Sequence, residues 1–289
     1  MIVDTNIVVS ARAFYPLQGQ FRIMDCPMNI LSRDKQVAAI AALCEGVSVR
    51  ATERLTGVNR GTILSLGVRV GDGCAVLHDA MMRGLHVSRI ELDEAWSFVA
   101  KKQRNGENCR AFLADLRARV LGAPEISSDG FPAYPDAVER AFGVECTFGT
   151  IEKHYAVETA GVEAARRYSP AAVVSVTTTD VVGSPSRIST SYIERQNLTL
   201  RMQQRRFTRL TNAFSKKLDN HVAAVALYVA HYNFCRVHEA LRVTPAMQLG
   251  VTDHIWTIGE LVDAALEGVL PAPGGRRYGR FTVIDGGRE

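Results

Sequence analysis

The sequence predicts an α/β fold, with a small helical domain ahead of an alternating strand-and-helix domain and further helices at the C-terminal end. Three observations carry this. Apolar residues recur at the helical period over Val37, Ile40, Ala41, Cys44 and again over Ile63, Leu66, Val70. Two short apolar runs then end in an aspartate each, Asp93 and Asp129. Finally, Glu194, Asn197 and Arg201 stand at i, i+3 and i+7, so on a helix they share one face.

Residues 1–27 read apart from the rest. Met1-Ile2-Val3-Asp4-Thr5-Asn6-Ile7-Val8-Val9-Ser10-Ala11 is an apolar strand ending in polar groups, and it resembles the opening strand of PIN-domain ribonucleases. That pattern does not continue downstream. Met28 offers a natural start, so 1–27 is set aside as an extension outside the fold. Residues 28–75 form a helical domain. Ser32 caps a first helix that Gly46 ends, a short helix covers Val49–Leu55, and Thr56-Gly57-Val58 turns the chain. Asn59 then caps a third helix. Two helices joined by a Gly-containing turn make a helix-turn-helix signature that puts Arg60, Thr62 and Arg69 against DNA.

The catalytic-type domain spans 85–250. Ile90–Val99 alternates, with Ile90, Leu92, Trp96 and Phe98 on one face and Glu91 and Asp93 on the other, as a strand does. Helices follow at Phe112–Val120 and Pro132–Phe142, with a short strand at Pro124–Ser128 between them. The Ser-, Thr- and Val-rich stretch 169–190 reads as a connection or short strands. Long helices cover about 190–215 and 218–235, and 251–289 holds one amphipathic helix and a Gly/Pro/Arg-rich tail.

Composition narrows the class. Of 289 residues, 47% are hydrophobic and 22% charged, as in globular domains. Net charge is only +4, so the basic signal lies in clustering: Arg205, Arg206, Arg209, Lys216 and Lys217 follow Arg201 closely. Six cysteines are scattered without a C-x-x-C pair, which argues against a zinc site and fits reduced thiols. No apolar run reaches the ~18 residues of a membrane span. The first residues lack a basic n-region, so no signal peptide is expected and the cytoplasm is the expected compartment.

Three carboxylates from separate elements, next to basic helices, suit divalent-metal chemistry on nucleic acid. Taken alone, an aspartate at a strand end is more often a solvated or capping residue. The surrounding blocks change that balance. Glu91-Leu92-Asp93-Glu94-Ala95-Trp96, Ser128-Asp129-Gly130-Phe131-Pro132 and Ile193-Glu194-Arg195-Gln196-Asn197-Leu198-Thr199-Leu200-Arg201 occur in that order. So do Arg206-Phe207-Thr208-Arg209-Leu210-Thr211-Asn212-Ala213-Phe214-Ser215-Lys216-Lys217 and His231-Tyr232-Asn233-Phe234-Cys235-Arg236-Val237-His238. Together they resemble the DDE-type transposases of bacterial insertion sequences, in particular the family of insertion sequence one, from about Met28 to Gly250.

That resemblance implies an RNase H-like catalytic domain. It implies Asp93, Asp129 and Glu194 as catalytic residues and ligands of two Mg²⁺ or Mn²⁺ ions. Asn197 and Arg201 would position the last carboxylate and the DNA backbone, and Arg205, Arg206, Arg209, Lys216 and Lys217 would hold DNA. The expected partners are the double-stranded element ends and target DNA, with a homo-oligomer and no membrane. The sequence departs from the family at one place. Between Lys101-Lys102-Gln103-Arg104 and Glu107 only Asn105-Gly106 stands where the family has a two-strand hairpin. The Asp93 strand is therefore expected to have an open edge. Two readings follow: a DNA transposase that the deletion impairs, or a catalytically dead DNA-binding remnant that occupies element ends.

Overall fold

The computed structural model describes residues 2–3, 7–8, 31–93, 105–155, 173–208 and 215–271. It is a mixed α/β protein whose chain divides into two units. One contains the described residues of Met1–Arg22 and Arg83–Ser215, the other those of Ile23–Met82 and Lys216–Glu289.

The first unit is built on a sheet. Its strands are β1 (Ile2–Val3), β2 (Ile7–Val8), β4 (Arg89–Leu92), β6 (Glu125–Asp129), β7 (Thr147–Tyr155) and β8 (Val173–Val182), in the order β2-β1-β4-β6-β7-β8. A separate parallel pair joins β3 (Leu85–His86) to β5 (Val120–Leu121). β4, β6 and β7 run parallel, and β8 returns antiparallel to β7. Parallel neighbours need a crossover. Helix α4 (Asn105–Arg119) lies between β4 and β6, and α5 (Tyr134–Phe142) between β6 and β7. On α5, Tyr134, Ala137, Val138 and Phe142 are buried at helical spacing, and Pro135 sits in the first turn, where its missing N–H costs nothing. Ile90, Leu92, Leu113, Leu116, Ile126 and Phe148 are buried.

The open edge expected beside Asp93 is not found. β1 pairs antiparallel with β4, Ile2 opposite Glu91 and Val3 opposite Ile90, and β2 pairs in turn with β1. An unpaired strand edge exposes a row of N–H and C=O groups that another apolar strand can satisfy. The start of the chain supplies that strand, so residues 2–3 and 7–8, set aside on sequence as part of an extension, belong to the sheet. Asp4 and Asn6 lie outside the described residues. The strand read at Ile90–Val99 is observed at Arg89–Leu92, and Trp96 and Phe98 also lie outside the described residues.

The second unit is helical. It holds α1 (Arg33–Cys44), α2 (Val49–Thr56), α3 (Arg60–Met81), α7 (Leu218–Ala230), a π-helical turn at His231–Cys235, α8 (Pro245–Gln248) and α9 (Ile258–Glu267); α6 (Ser191–Gln203) belongs to the sheet unit. Asn59 caps α3 through its side chain, as its residue type suggests. α3 runs beyond the stretch read from its period, through Gly71 and Gly73. A Cβ on Gly71 would overlap the Ala223 backbone of α7, and one on Gly73 the Ala265 backbone of α9. Two bare positions let three helix backbones meet closely. This packing joins residues from 216 onward to the N-terminal helices, whereas the sequence boundaries at 75 and 250 had joined 216–250 to the sheet. Arg33 Nε donates to Asp263 Oδ1 at 2.9 Å, a further tie between α1 and α9. Among the described residues no helix is long and apolar enough to cross a membrane.

Candidate active site

Asp93 and Asp129 close adjacent parallel strands. The register sets Leu92 opposite Ser128, so Asp93, one residue on, stands beside Asp129 at the end of β6. Carboxyl ends of parallel strands are where open α/β sheets build their sites. Asp129 is further fixed by accepting the Phe131 N–H at 3.2 Å. On the other side of β6, Asp129 pairs with Ile151 of β7, which leads directly into Glu152 and Lys153.

Two carboxylates that the functional reading had passed over bring Glu194 to this edge. Glu91 on β4 is only 7% exposed, and its Oε2 accepts the N–H groups of Tyr192 at 2.8 Å and Ile193 at 2.9 Å. These are free donors of the first turn of α6, where a carboxylate also meets the positive end of the helix. Glu125 on β6 accepts the Ser186 N–H at 2.9 Å and the Ser186 hydroxyl at 3.0 Å, and pairs with Arg89. The segment ahead of α6 is therefore stitched to both strands. Gly149 completes the seat, because a Cβ there would overlap Ile188. With its helix so held, Glu194 Oε1 accepts the Thr190 hydroxyl at 2.7 Å and pairs with Lys153 Nζ.

The charges of Asp93 and Glu194 both reach Asp129. Burial raises the Asp129 pKa, the Phe131 N–H opposes the rise, and the charges of Asp93 and Glu194 add to it. Burial also raises Glu91, against the N–H groups of Ile193 and Tyr192, the Ser189 hydroxyl and Arg187. Three hard oxygen donors have the donor chemistry that Mg²⁺ or Mn²⁺ prefers. Among the described residues no three His, Cys, Asp or Glu side chains are grouped closely enough to hold one ion. Here Glu194 is engaged by Lys153, and Asp93 accepts Asn197 Nδ2 at 2.7 Å.

The remaining expected residues fall in different settings. Asn197 is 6% exposed and donates to the first carboxylate, Asp93. Arg201 is half-exposed on the same helix. The expected continuous helix over 190–215 gives way after Gln203 to a 3₁₀ turn, Arg205–Phe207. Arg205 on that turn is exposed. Arg206 is turned inward instead, its Nη1 donating to Ser215 Oγ at 2.6 Å, and burial lowers its pKa. Arg209 lies outside the described residues. In the helical unit, Arg60, Thr62 and Arg69 are exposed along the first half of α3, and Lys216 and Lys217 are exposed ahead of α7.

Glu91, Glu125, Gly149 and Lys153 went unread as parts of a site because their partners are far away in sequence. Only the place of Glu91 between apolar Ile90 and Leu92 hinted at a buried role. No family model matches the chain, and searches of the curated proteins and of the solved structures find no match.

Proposed function

We infer that the chain is a DNA transposase of the DDE type, which binds the terminal inverted repeats of an insertion sequence and cleaves and joins DNA with divalent metal. One observation carries the reading: Asp93 and Asp129 end neighbouring parallel strands, and Glu194 is on a helix pinned to the same strands. An RNase H-like domain would be arranged in this way. The fit to two Mg²⁺ or Mn²⁺ ions rests on the donor set, with Asp93, Asp129 and Glu194 as the residues that would hold them. When bound, such ions lower the barrier to in-line displacement at phosphorus by stabilising attacking and leaving oxygens. The chain's own part is to hold its carboxylates in place, through Asn197 on Asp93, the Phe131 N–H on Asp129 and Thr190 on Glu194.

The helical unit supports a DNA-binding role. α2 and α3 are joined by a short turn, as in a helix-turn-helix, with Arg60, Thr62 and Arg69 exposed on the second helix. Action as a homo-oligomer on paired element ends belongs to the same reading.

A second reading, a catalytically dead DNA-binding remnant, is favoured by the short cover of β4, since β1 pairs through Ile2 and Val3 alone. A cleavage and strand-transfer assay separates the two. The substrate is DNA carrying the inverted repeats that flank the gene, with Mg²⁺ or Mn²⁺, and the comparison is Glu194→Gln. Metal-dependent nicking lost in the variant establishes the enzyme. Specific binding without nicking in either form establishes the remnant, and neither binding nor nicking overturns both.

A further inference from the structure

We propose that Lys153 is a built-in counter-ion of the carboxylate site, a positioning residue whose ammonium holds Glu194 until a divalent cation takes its place. The inference rests on the metal-dependent reading above. Lys153 is on β7, two residues beyond the position paired with Asp129, and its Nζ meets Glu194 Oε1. Its side chain is 26% exposed, against 48% for Glu194. A lysine this covered has given up part of its hydration, and an ammonium tolerates that only beside an anion.

The site needs such a cation when it holds no metal. Asp129 lies within reach of the negative charges of both Asp93 and Glu194. Asn197 and Thr190 give hydrogen bonds, but neither brings charge. Lys153 brings charge, at the same Oε1 that Thr190 approaches. A metal ion bound by that carboxylate would meet the ammonium at close range, and two cations repel. Lysine and metal are therefore alternative partners of Glu194. Arginine would suit this role badly, because its fork grips a carboxylate bidentately and would release it less readily.

The test is a Mn²⁺ titration followed by paramagnetic resonance, together with thermal melts of the metal-free and metal-loaded full-length protein. Five forms are compared: native, Lys153→Gln, Lys153→Arg, Glu194→Gln and the double variant Lys153→Gln with Glu194→Gln. Lys153→Gln is expected to bind Mn²⁺ about tenfold tighter, a modest gain because the pair is partly exposed. Without metal it melts below the native protein, and Mn²⁺ closes the gap. Lys153→Arg binds Mn²⁺ more weakly than native, which keeps the idea testable should Lys153→Gln fold poorly. In a Glu194→Gln background, Lys153→Gln leaves Mn²⁺ affinity unchanged. Native-like Mn²⁺ affinity in both Lys153 variants, with binding lost in Glu194→Gln, overturns the counter-ion and spares the metal-dependent reading. No Mn²⁺ binding by any form overturns both.

Discussion

Asn197 Nδ2 donates to Asp93 Oδ2 at 2.7 Å, joining the buried face of α6 to the carboxyl end of β4. The bond fixes the first carboxylate from the same helix that presents the third. Replacing Asn197 by Asp turns a donor into a repelling acceptor. Asn197→Asp is expected to lose about 10²-fold in metal-dependent nicking, the scale on which small misplacements of reacting groups are felt. On the proposed transposase reading, affinity for the element ends stays within about twofold of native, since base reading is proposed for α3. Single-turnover nicking beside a binding titration checks both halves.

Asp129 is expected to set a pH dependence in the metal-free protein. Burial first, and then Asp93 and Glu194, raise its pKa in the folded state, and burial does the same for Glu91. The folded protein thus holds these protons more tightly than the unfolded chain. Their contribution to stability is full below the ordinary carboxylate range, near ~4, and is lost as pH rises from there through the raised values. Asp129→Asn removes its share of that loss. Discounted for partial exposure, the gain at neutral pH is about 1 kcal/mol, or roughly 2–4 °C in Tm. Melts of the variant and native protein from pH 4 to 8 should diverge with rising pH, while metal-dependent nicking disappears in the variant.

A chain begun at Met28 loses β1 and β2. The edge of β4 then opens, with two backbone pairings lost at Glu91 and Ile90. The expected cost is ~1–3 kcal/mol, at about 1 kcal/mol per hydrogen bond. Self-association should rise as well, because open edges template pairing between chains. Urea unfolding and light scattering of the truncated and full chains test this. Equal stability and equal monodispersity would rule out a role for the first strands.

Gly71→Ala is expected to destabilise the helical unit despite alanine's higher helix propensity. The added Cβ overlaps the Ala223 backbone, which no side-chain rotation relieves. Overpacking of this kind costs ~1–3 kcal/mol, more than the ~1 kcal/mol that alanine gains over glycine in a helix. Loss of helical signal at lower urea concentration is the readout. Ala75→Gly, one turn further along α3, serves as the contrast.

Arg69→Gln should weaken DNA binding almost equally across sequences if Arg69 meets a phosphate. The slope of log affinity against log salt would fall by about one. An unchanged slope would leave Arg69 as a solvated residue of α3.

The sequence made legible what local patterns encode. Asn59 marked the start of α3, and Asp93 and Asp129 each closed an apolar run, so their place at strand ends could be read directly. β7 was not read, because Thr147–Tyr155 mixes apolar and charged residues without strict alternation. The length of α3 was missed because glycine lowers helix propensity, and only the close approach of Ala223 and Ala265 explains its presence. The bond from Asn197 to Asp93 was not legible for a related reason. Helical spacing shows that it shares a face with Glu194, but not that this face meets the end of β4. Lys153 and Glu91 act on α6 from remote strands, and nothing local names α6 as their partner.

The pairing of Ile2 with Glu91 has a consequence for how the protein is made. During synthesis the first strand leaves the ribosome long before β4 exists, and the residues of α1, α2 and α3 emerge between them. Those helices cannot finish either, because the Gly71 and Gly73 face of α3 receives α7 and α9 from the far end of the message. Each unit thus waits for distant chain, which makes assembly slow and leaves apolar surface uncovered in the nascent polypeptide. The sheet can close once α6 has been translated, whereas the helices that carry Arg60 and Arg69 are fully packed only after α9. A polypeptide released early would keep its carboxylates and lose the support of the helix that exposes Arg60 and Arg69.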